Sequence, residues 1–196
     1  MSDRARDHSE SRAVHGLEAA GELIRTALAD LQGPRPIVGV TGPVASGKST
    51  LATRLAATLG GLALSTDRYL PDYDGLEPNE RDDPARSDLA RLAADLQALR
   101  VHGQADVPIW CFHEHRRIGE ERVRFAGAAD GPVICEGLFA LHPAVASVHT
   151  LRVFVEAPAE ERWARWEAIE RSGERGWGVE LARQHFDSVA EPMFAR

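Results

Sequence analysis

Cysteine is scarce in this chain of 196 residues: only Cys111 and Cys135 occur, each inside a strand-like stretch and without CxxC spacing. That excludes a disulfide framework and a cysteine-built zinc site, and it reads as two small core residues in a reducing compartment. No apolar run is long enough to span a bilayer, and the first residues, Met1 to Arg12, are polar and charged. The expectation is a soluble cytoplasmic protein with no membrane partner. Positive charge is also in short supply. With 23 Lys and Arg against 30 Asp and Glu, the formal net charge is −7, which argues against the broad basic face that a nucleic-acid partner needs. Any phosphate binding must therefore be local. Internal repeats, low-complexity linkers and an NKxD-type element that would read a guanine base are absent too.

Against these absences stands one complete pattern. Gly42-Pro43-Val44-Ala45-Ser46-Gly47-Lys48-Ser49 fits GxxxxGK[ST], between the apolar run Ile37 to Val40 and a helix-like run that starts at Thr50 and reaches Leu59. Glycines at both ends let the chain curl so that successive backbone N–H groups point at phosphate oxygens. The following helix turns its positive end toward the same anion. Lys48 would reach the outer phosphates as a mobile point charge, and the Ser49 hydroxyl would hold Mg²⁺. Residues 42–50 are thus the expected nucleotide-binding residues, with a nucleoside triphosphate and Mg²⁺ as the implied ligands.

At 43% hydrophobic content the chain can bury a full core. Val14, Leu17, Ile24, Leu28 and Leu31 form one narrow helical stripe that Gly33-Pro34 ends; it packs on the body of the domain or serves as a coiled-coil arm. The expected organisation is a polar tail plus amphipathic helix over residues 1–34, then a P-loop domain over 35–196. Strands are expected at Leu62 to Ser65, Val107 to Phe112, Val133 to Cys135 and Leu151 to Val155. Helices are expected from Leu89 to Leu99, Glu160 to Arg171 and Val179 to Val189. Such alternation predicts an α/β fold, a P-loop NTPase three-layer sandwich around a mostly parallel sheet, with ligands beyond the carboxyl ends of the strands. The acidic stretch Pro71 to Pro84 reads as a mobile surface loop.

Two carboxylates sit at strand ends. Asp67 follows Leu62 to Ser65, where it can accept the proton of an attacking hydroxyl or help hold Mg²⁺, or else merely cap a turn. Glu136 follows Pro132 to Cys135, where it can order the metal's water shell or lie solvated. Arg162, Arg165, Arg171 and Arg175 crowd the segment after Val155, in same-face pairs, with Glu161, Glu167, Glu170 and Glu174 between them. They read either as a salt-bridged solvated helix or as a lid that swings arginines onto the triphosphate.

Taken together the motifs resemble the phosphoribulokinase and uridine kinase group of P-loop enzymes, from about Ile37 to Phe194. The carriers are the loop Gly42 to Ser49, the DxxY-type segment Asp67-Arg68-Tyr69-Leu70, and Asp82-Asp83-Pro84 with Asp88. Pro108-Ile109-Trp110-Cys111-Phe112-His113-Glu114-His115-Arg116-Arg117 answers to P-x-Y-x-[FY]-x-x-H-x-R, and Glu136-Gly137, Glu174-Arg175-Gly176 and Pro192-Met193-Phe194 follow in order. The resemblance implies a kinase in which Lys48 and Ser49 serve the donor phosphates and Mg²⁺, with Glu136 as a second metal residue, direct or through water. It implies Asp67 as base for a 5′-hydroxyl, Asp82 on ribose hydroxyls, and Arg165, Arg171 and Arg175 in the lid. Tyr69, Trp110, Phe112, His115 and Arg117 would form the acceptor site; by pattern alone Trp110 to His113 also suit an ordinary half-buried strand.

Departures fall on the acceptor side. Leu70 stands where the group has a second aromatic, Trp110 replaces Tyr, Cys111 sits where Asp or Ser is frequent, and Ser172 follows Arg171 where Asp is favoured. The chain stops at Arg196, where the group continues into a further strand near the nucleotide base. The expected activity is transfer of a phosphoryl group from ATP or GTP to an alcohol, foremost the 5′-hydroxyl of uridine or cytidine. Nicotinamide riboside or pantothenate as acceptor, and a nucleotide-binding regulator without transfer, are the alternatives. The partner is a nucleoside-like small molecule, and a homo-oligomer is expected by analogy with the group.

Overall fold

Ile37 to Thr41 has no charged side chain and four β-branched residues, and it forms strand β1 (Ile37–Thr41), buried at all five positions. A strand with helices on both faces reads as such a continuous apolar run. β1 lies at the interior of a parallel four-stranded sheet in the order β2 (Leu62–Ser65), β5 (Val133–Glu136), β1, β6 (Leu151–Phe154). This is the architecture of a computed structural model that describes residues 11–194 except 32, 34, 78, 79 and 127–129. Most of the polar tail and Pro34 lie outside the described residues.

The two-residue period of the strands divides the core in two. Ile37, Val133 and Cys135 face Leu92, Leu96 and Leu99 of helix α3 (Leu89–His102). Val38, Val40 and Ile134 face Leu51, Ala52 and Leu55 of α2 (Lys48–Leu59), and beyond it Ile24 of α1 (Leu17–Ala29). The N-terminal stripe packs on α2 through Leu17, Ala20 and Leu28. Its outer members Val14 and Leu31 stay exposed. Gly39 has no side chain because the ring of His149 lies against it: a Cβ there would stand 2.5 Å from Nδ1.

The strand predicted at Val107 to Phe112 exists as β3 (Gln104–Cys111), but it stands outside the parallel sheet. It pairs antiparallel with β4 (Arg116–Arg124), with a register shift between Ile109 and Trp110. Ala105, Val107 and Trp110 are buried toward α3, while β4 is largely exposed and highly charged. After the short helix α4 (Pro143–Ala146) come α5 (Ala159–Arg171) and α6 (Val179–His185). The latter runs through a π-helical turn, Phe186–Ala190, into α7 (Glu191–Phe194). α5 and α6 form a cap with its own apolar cluster, Trp166, Ala182, Phe186 and Ala190, which packs on Val44 and Ala45 of the glycine-rich loop. No helix among the described residues is long and apolar enough to cross a membrane.

Candidate active site

All four parallel strands end at one edge, and the loops there enclose a cavity of about 540 Å³. Its first wall is the loop 42–47. Gly42 has φ 148°, and a Cβ on it would meet the Val155 carbonyl oxygen at 2.0 Å; Gly47, at φ 104°, turns the chain into α2 in a conformation that suits glycine. Ala45 shares the left-handed region at φ 57°. No side chain caps α2, so its first N–H groups remain available to an anion in the cavity. Gly42, Val44, Ala45, Gly47, Lys48, Ser49 and Thr50 line the space, whereas Pro43 and Ser46 are buried behind it. The Ser46 hydroxyl has no hydrogen-bond partner among the described residues.

Carboxylates make the floor. Glu136 at the end of β5 is 8% exposed and accepts a 3.0 Å hydrogen bond from the Ser49 hydroxyl. Asp67 sits in a 3₁₀ turn, Thr66–Tyr69, started by Ser65, whose hydroxyl accepts the Asp67 N–H at 3.3 Å. Burial pushes both carboxyls above their ordinary range; Asp67 adds to the rise at Glu136, while Arg175 and Lys48 oppose it at Asp67. Burial likewise pulls the Lys48 ammonium down, against the attraction of Asp67 and Glu136, and Nζ donates to the Pro43 carbonyl at 2.7 Å. The floor is held by Gly137, whose missing Cβ would stand 2.1 Å from Thr66 Oγ1.

The acceptor side differs from the expectation at three residues. Tyr69 is fully buried, and its hydroxyl donates to Asp95 at 2.8 Å; it is a core residue, not a wall of the cavity. Trp110 is buried behind the wall, 5.1 Å from the Tyr73 ring. Arg117 donates to the carbonyls of Tyr69 and Leu70 at 2.9 and 3.2 Å, so it fixes the turn that carries Asp67 and does not reach the cavity. Phe112, His115 and Asp82 do line it, joined by Leu70 and by Tyr73, Trp177 and His185, which the sequence reading did not single out. Tyr73 belongs to the stretch read as a surface loop. It is half-buried because its N–H donates to the His115 carbonyl at 2.9 Å and its ring stacks on His115 at 5.6 Å. Burial, then the charge of Arg81, holds the His115 imidazole below its ordinary pKa.

The arginines divide between the two readings. Arg165 and Arg175 line the cavity, with Arg175 5.1 Å over the Phe112 ring. Arg165 also pairs with Glu161 at 2.8 Å. Arg171 turns away, exposed, onto Glu167 at 2.6 Å, because one helix face cannot present both it and Arg165 to the same space. Arg162 is 5% exposed, binds Glu191 at 2.6 Å and donates to the Ala157 carbonyl, which fixes the cap. Glu170, also buried, accepts the Trp166 indole N–H at 3.0 Å and the N–H groups of Trp177 and Gly178 at 3.1 Å, so it shapes the turn that carries Arg175.

Ser49, Glu136 and Asp67 are hard oxygen donors of the kind that suits Mg²⁺, an ion that takes few protein ligands and keeps several waters. No group of three or more His, Cys, Asp or Glu able to hold a metal occurs among the described residues.

Comparison with known proteins gives a concordant result. The sequence model of the phosphoribulokinase / uridine kinase family matches residues 37–192. A uridine kinase of Deinococcus deserti is 32% identical over 166 residues, which cover 80% of this chain and 78% of that protein. A uridine kinase of Tolumonas auensis is 30% identical over 172 residues, 81% of this chain and 78% of that one. Among solved structures, a provisionally assigned fructose transport system kinase from Silicibacter superposes with a TM-score of 0.66 at 23% identity, covering 86% of this chain and 87% of its own. A provisionally assigned uridine kinase from Bacillus stearothermophilus gives 0.60 at 18%, covering 90% and 95%. At such identities the structural likeness speaks for the fold alone.

Proposed function

The chain belongs to the phosphoribulokinase / uridine kinase family and is a kinase, and on that premise we propose that it moves the γ-phosphoryl group of ATP or GTP to the 5′-hydroxyl of uridine or cytidine. The observation that carries the reading is the meeting of Lys48, Asp67 and Glu136 at one floor under the glycine-rich loop. A protein that only bound nucleotide would need the loop and its lysine, but not a second buried carboxylate, Asp67, on the same cavity as Asp82 and His115.

In this reading the N–H groups at the start of α2 and the Lys48 ammonium hold the donor phosphates. Ser49 and Glu136 would hold Mg²⁺, which when bound neutralises charge on the phosphates. Asp67 accepts the acceptor's hydroxyl proton as its oxygen bonds to phosphorus and the nucleoside diphosphate leaves. Its raised pKa suits a base, since a carboxylate that binds a proton more readily drives the transfer better. Arg165 and Arg175 stabilise the charge that spreads over the moving group. Asp82 takes ribose hydroxyls, and the rings of Tyr73, Phe112, His115 and Trp177 enclose a planar base, with His115 as its polar edge.

The test is phosphoryl transfer from ATP with Mg²⁺ across uridine, cytidine, other nucleosides, nicotinamide riboside and pantothenate, with Lys48→Ala and Asp67→Asn beside the wild type. Transfer to uridine or cytidine is expected, lost in both variants, with ATP binding retained in Asp67→Asn. Transfer to another acceptor alone replaces the substrate, and an Asp67→Asn protein as active as wild type removes Asp67 from the mechanism.

A further inference from the structure

Beside the acceptor wall, but outside the cavity lining, stands a cation that forms no hydrogen bond or ion pair among the described residues. Arg81 is half-buried, and its Nε is buried without a partner. Its guanidinium carbon lies 5.2 Å from the Tyr73 ring centroid and 5.7 Å from that of Trp177. Tyr73 is part of the acceptor wall, whereas Trp177 is part of the cap, where Glu170 fixes its backbone. The next residue repeats the connection: Asp82 Oδ2 lies 3.2 Å from His185 Nε2, and the His185 ring stands edge-on to Trp177 at 4.8 Å. Two successive residues of one loop thus engage two mutually packed rings of the cap.

A guanidinium taken from water without a carboxylate is unfavourable unless something else answers its charge, and two aromatic faces do so. That balance is moderate, which suits a contact that is made and broken rather than a fixed strut. We propose that Arg81 is a positioning residue that clasps the cap to the acceptor wall and so couples acceptor binding to closure over the phosphate loop. The coupling rests on the kinase reading above; the clasp itself does not. An acceptor base that orders Tyr73 also orders Arg81 and, through it, Trp177 and Arg175, which follow one another across the turn pinned by Glu170. Asp82 is held toward the acceptor by His185 in the same movement.

The test uses the full chain with Arg81→Met, which keeps an apolar stem and loses the charge, and Arg81→Lys, which keeps the charge but cannot stack a planar face on two rings. Amide hydrogen exchange of residues 174–190 is followed in the presence of Mg²⁺ and a non-hydrolysable ATP analogue, together with analogue affinity, acceptor KM and kcat. Two cation–π contacts correspond to roughly five- to thirtyfold in an equilibrium constant, so that segment should exchange faster by such a factor in Arg81→Met, and acceptor KM should rise to match. Analogue affinity stays within about twofold, and Arg81→Lys lies between the two. Equal exchange in wild type and Arg81→Met overturns the clasp; faster exchange with unchanged acceptor KM overturns the coupling. If Arg81→Met does not fold, the same comparison with Arg81→Lys decides. If the wild type phosphorylates no acceptor, the kinase reading fails and the exchange result still decides the clasp.

Discussion

His149 should make this protein lose stability in mild acid, by an amount that one substitution removes. Both ring nitrogens are buried without a hydrogen-bond partner, the ring lies against the backbone of Gly39, and burial with the nearby charge of Arg152 lowers the imidazole pKa to about 4. In the unfolded chain an ordinary imidazole titrates near 6.5. Between those values the unfolded state binds a proton that the folded state refuses, so folding weakens as pH falls through the window and the effect is absent above it. At about 1.4 kcal/mol per pKa unit the ceiling is about 3 kcal/mol; the ring keeps an exposed edge, which reduces the expectation to about 2 kcal/mol. His149→Leu is close in volume and cannot protonate. Urea unfolding followed by circular dichroism at pH 7.5 and pH 4.5 gives the loss for each protein, and the carboxylates common to both cancel in the difference. Wild type should lose about 2 kcal/mol more than the variant over that interval. Parallel losses in the two proteins would falsify the assignment of a neutral, unpartnered ring.

Two further outcomes separate the site from its surroundings. Arg171→Ala, which removes only an exposed pair with Glu167, should leave kcat/KM within about twofold, whereas Arg175→Ala should lower it by tenfold or more, of the order of losing one charge-stabilising group; equal effects would place both on the surface. Gly137→Ala must force a Cβ to 2.1 Å from Thr66 Oγ1 at φ 132°, so thermal unfolding should show a loss of about 2 kcal/mol or more, with transfer reduced through the displaced Asp67 turn; a variant with wild-type melting would show that the turn yields freely.

The phosphate side of the site was legible because its chemistry is local in sequence: residues 42–50 contain the turn, the helix start and the cation together. Glu136 and Asp67 were legible because an apolar run ending in an acid marks a strand end. The acceptor side was not, because which aromatic faces the ligand depends on how the turn after β2 rolls. Tyr69 points to Asp95 in the core and Tyr73 faces the cavity, and nothing in their spacing from Asp67 decides between them. β4 was missed for a different reason: Arg116 to Arg124 is exposed on both faces and held by cross-strand ion pairs such as Arg122 with Asp106, so no apolar alternation betrays it. Arg171 misled because its spacing from Arg175 suited one helix face, yet α5 ends between them.

All four tryptophans of the chain stand around this one cavity, Trp163, Trp166 and Trp177 in the cap and Trp110 behind Tyr73. The intrinsic near-ultraviolet emission of the unlabelled protein is therefore a signal of that neighbourhood, with Arg183 and Arg81 set against two of the indole faces as nearby charges that shift it. Nucleotide arrival and acceptor arrival become optical events on the native chain, recorded without a dye and separable by the order of addition.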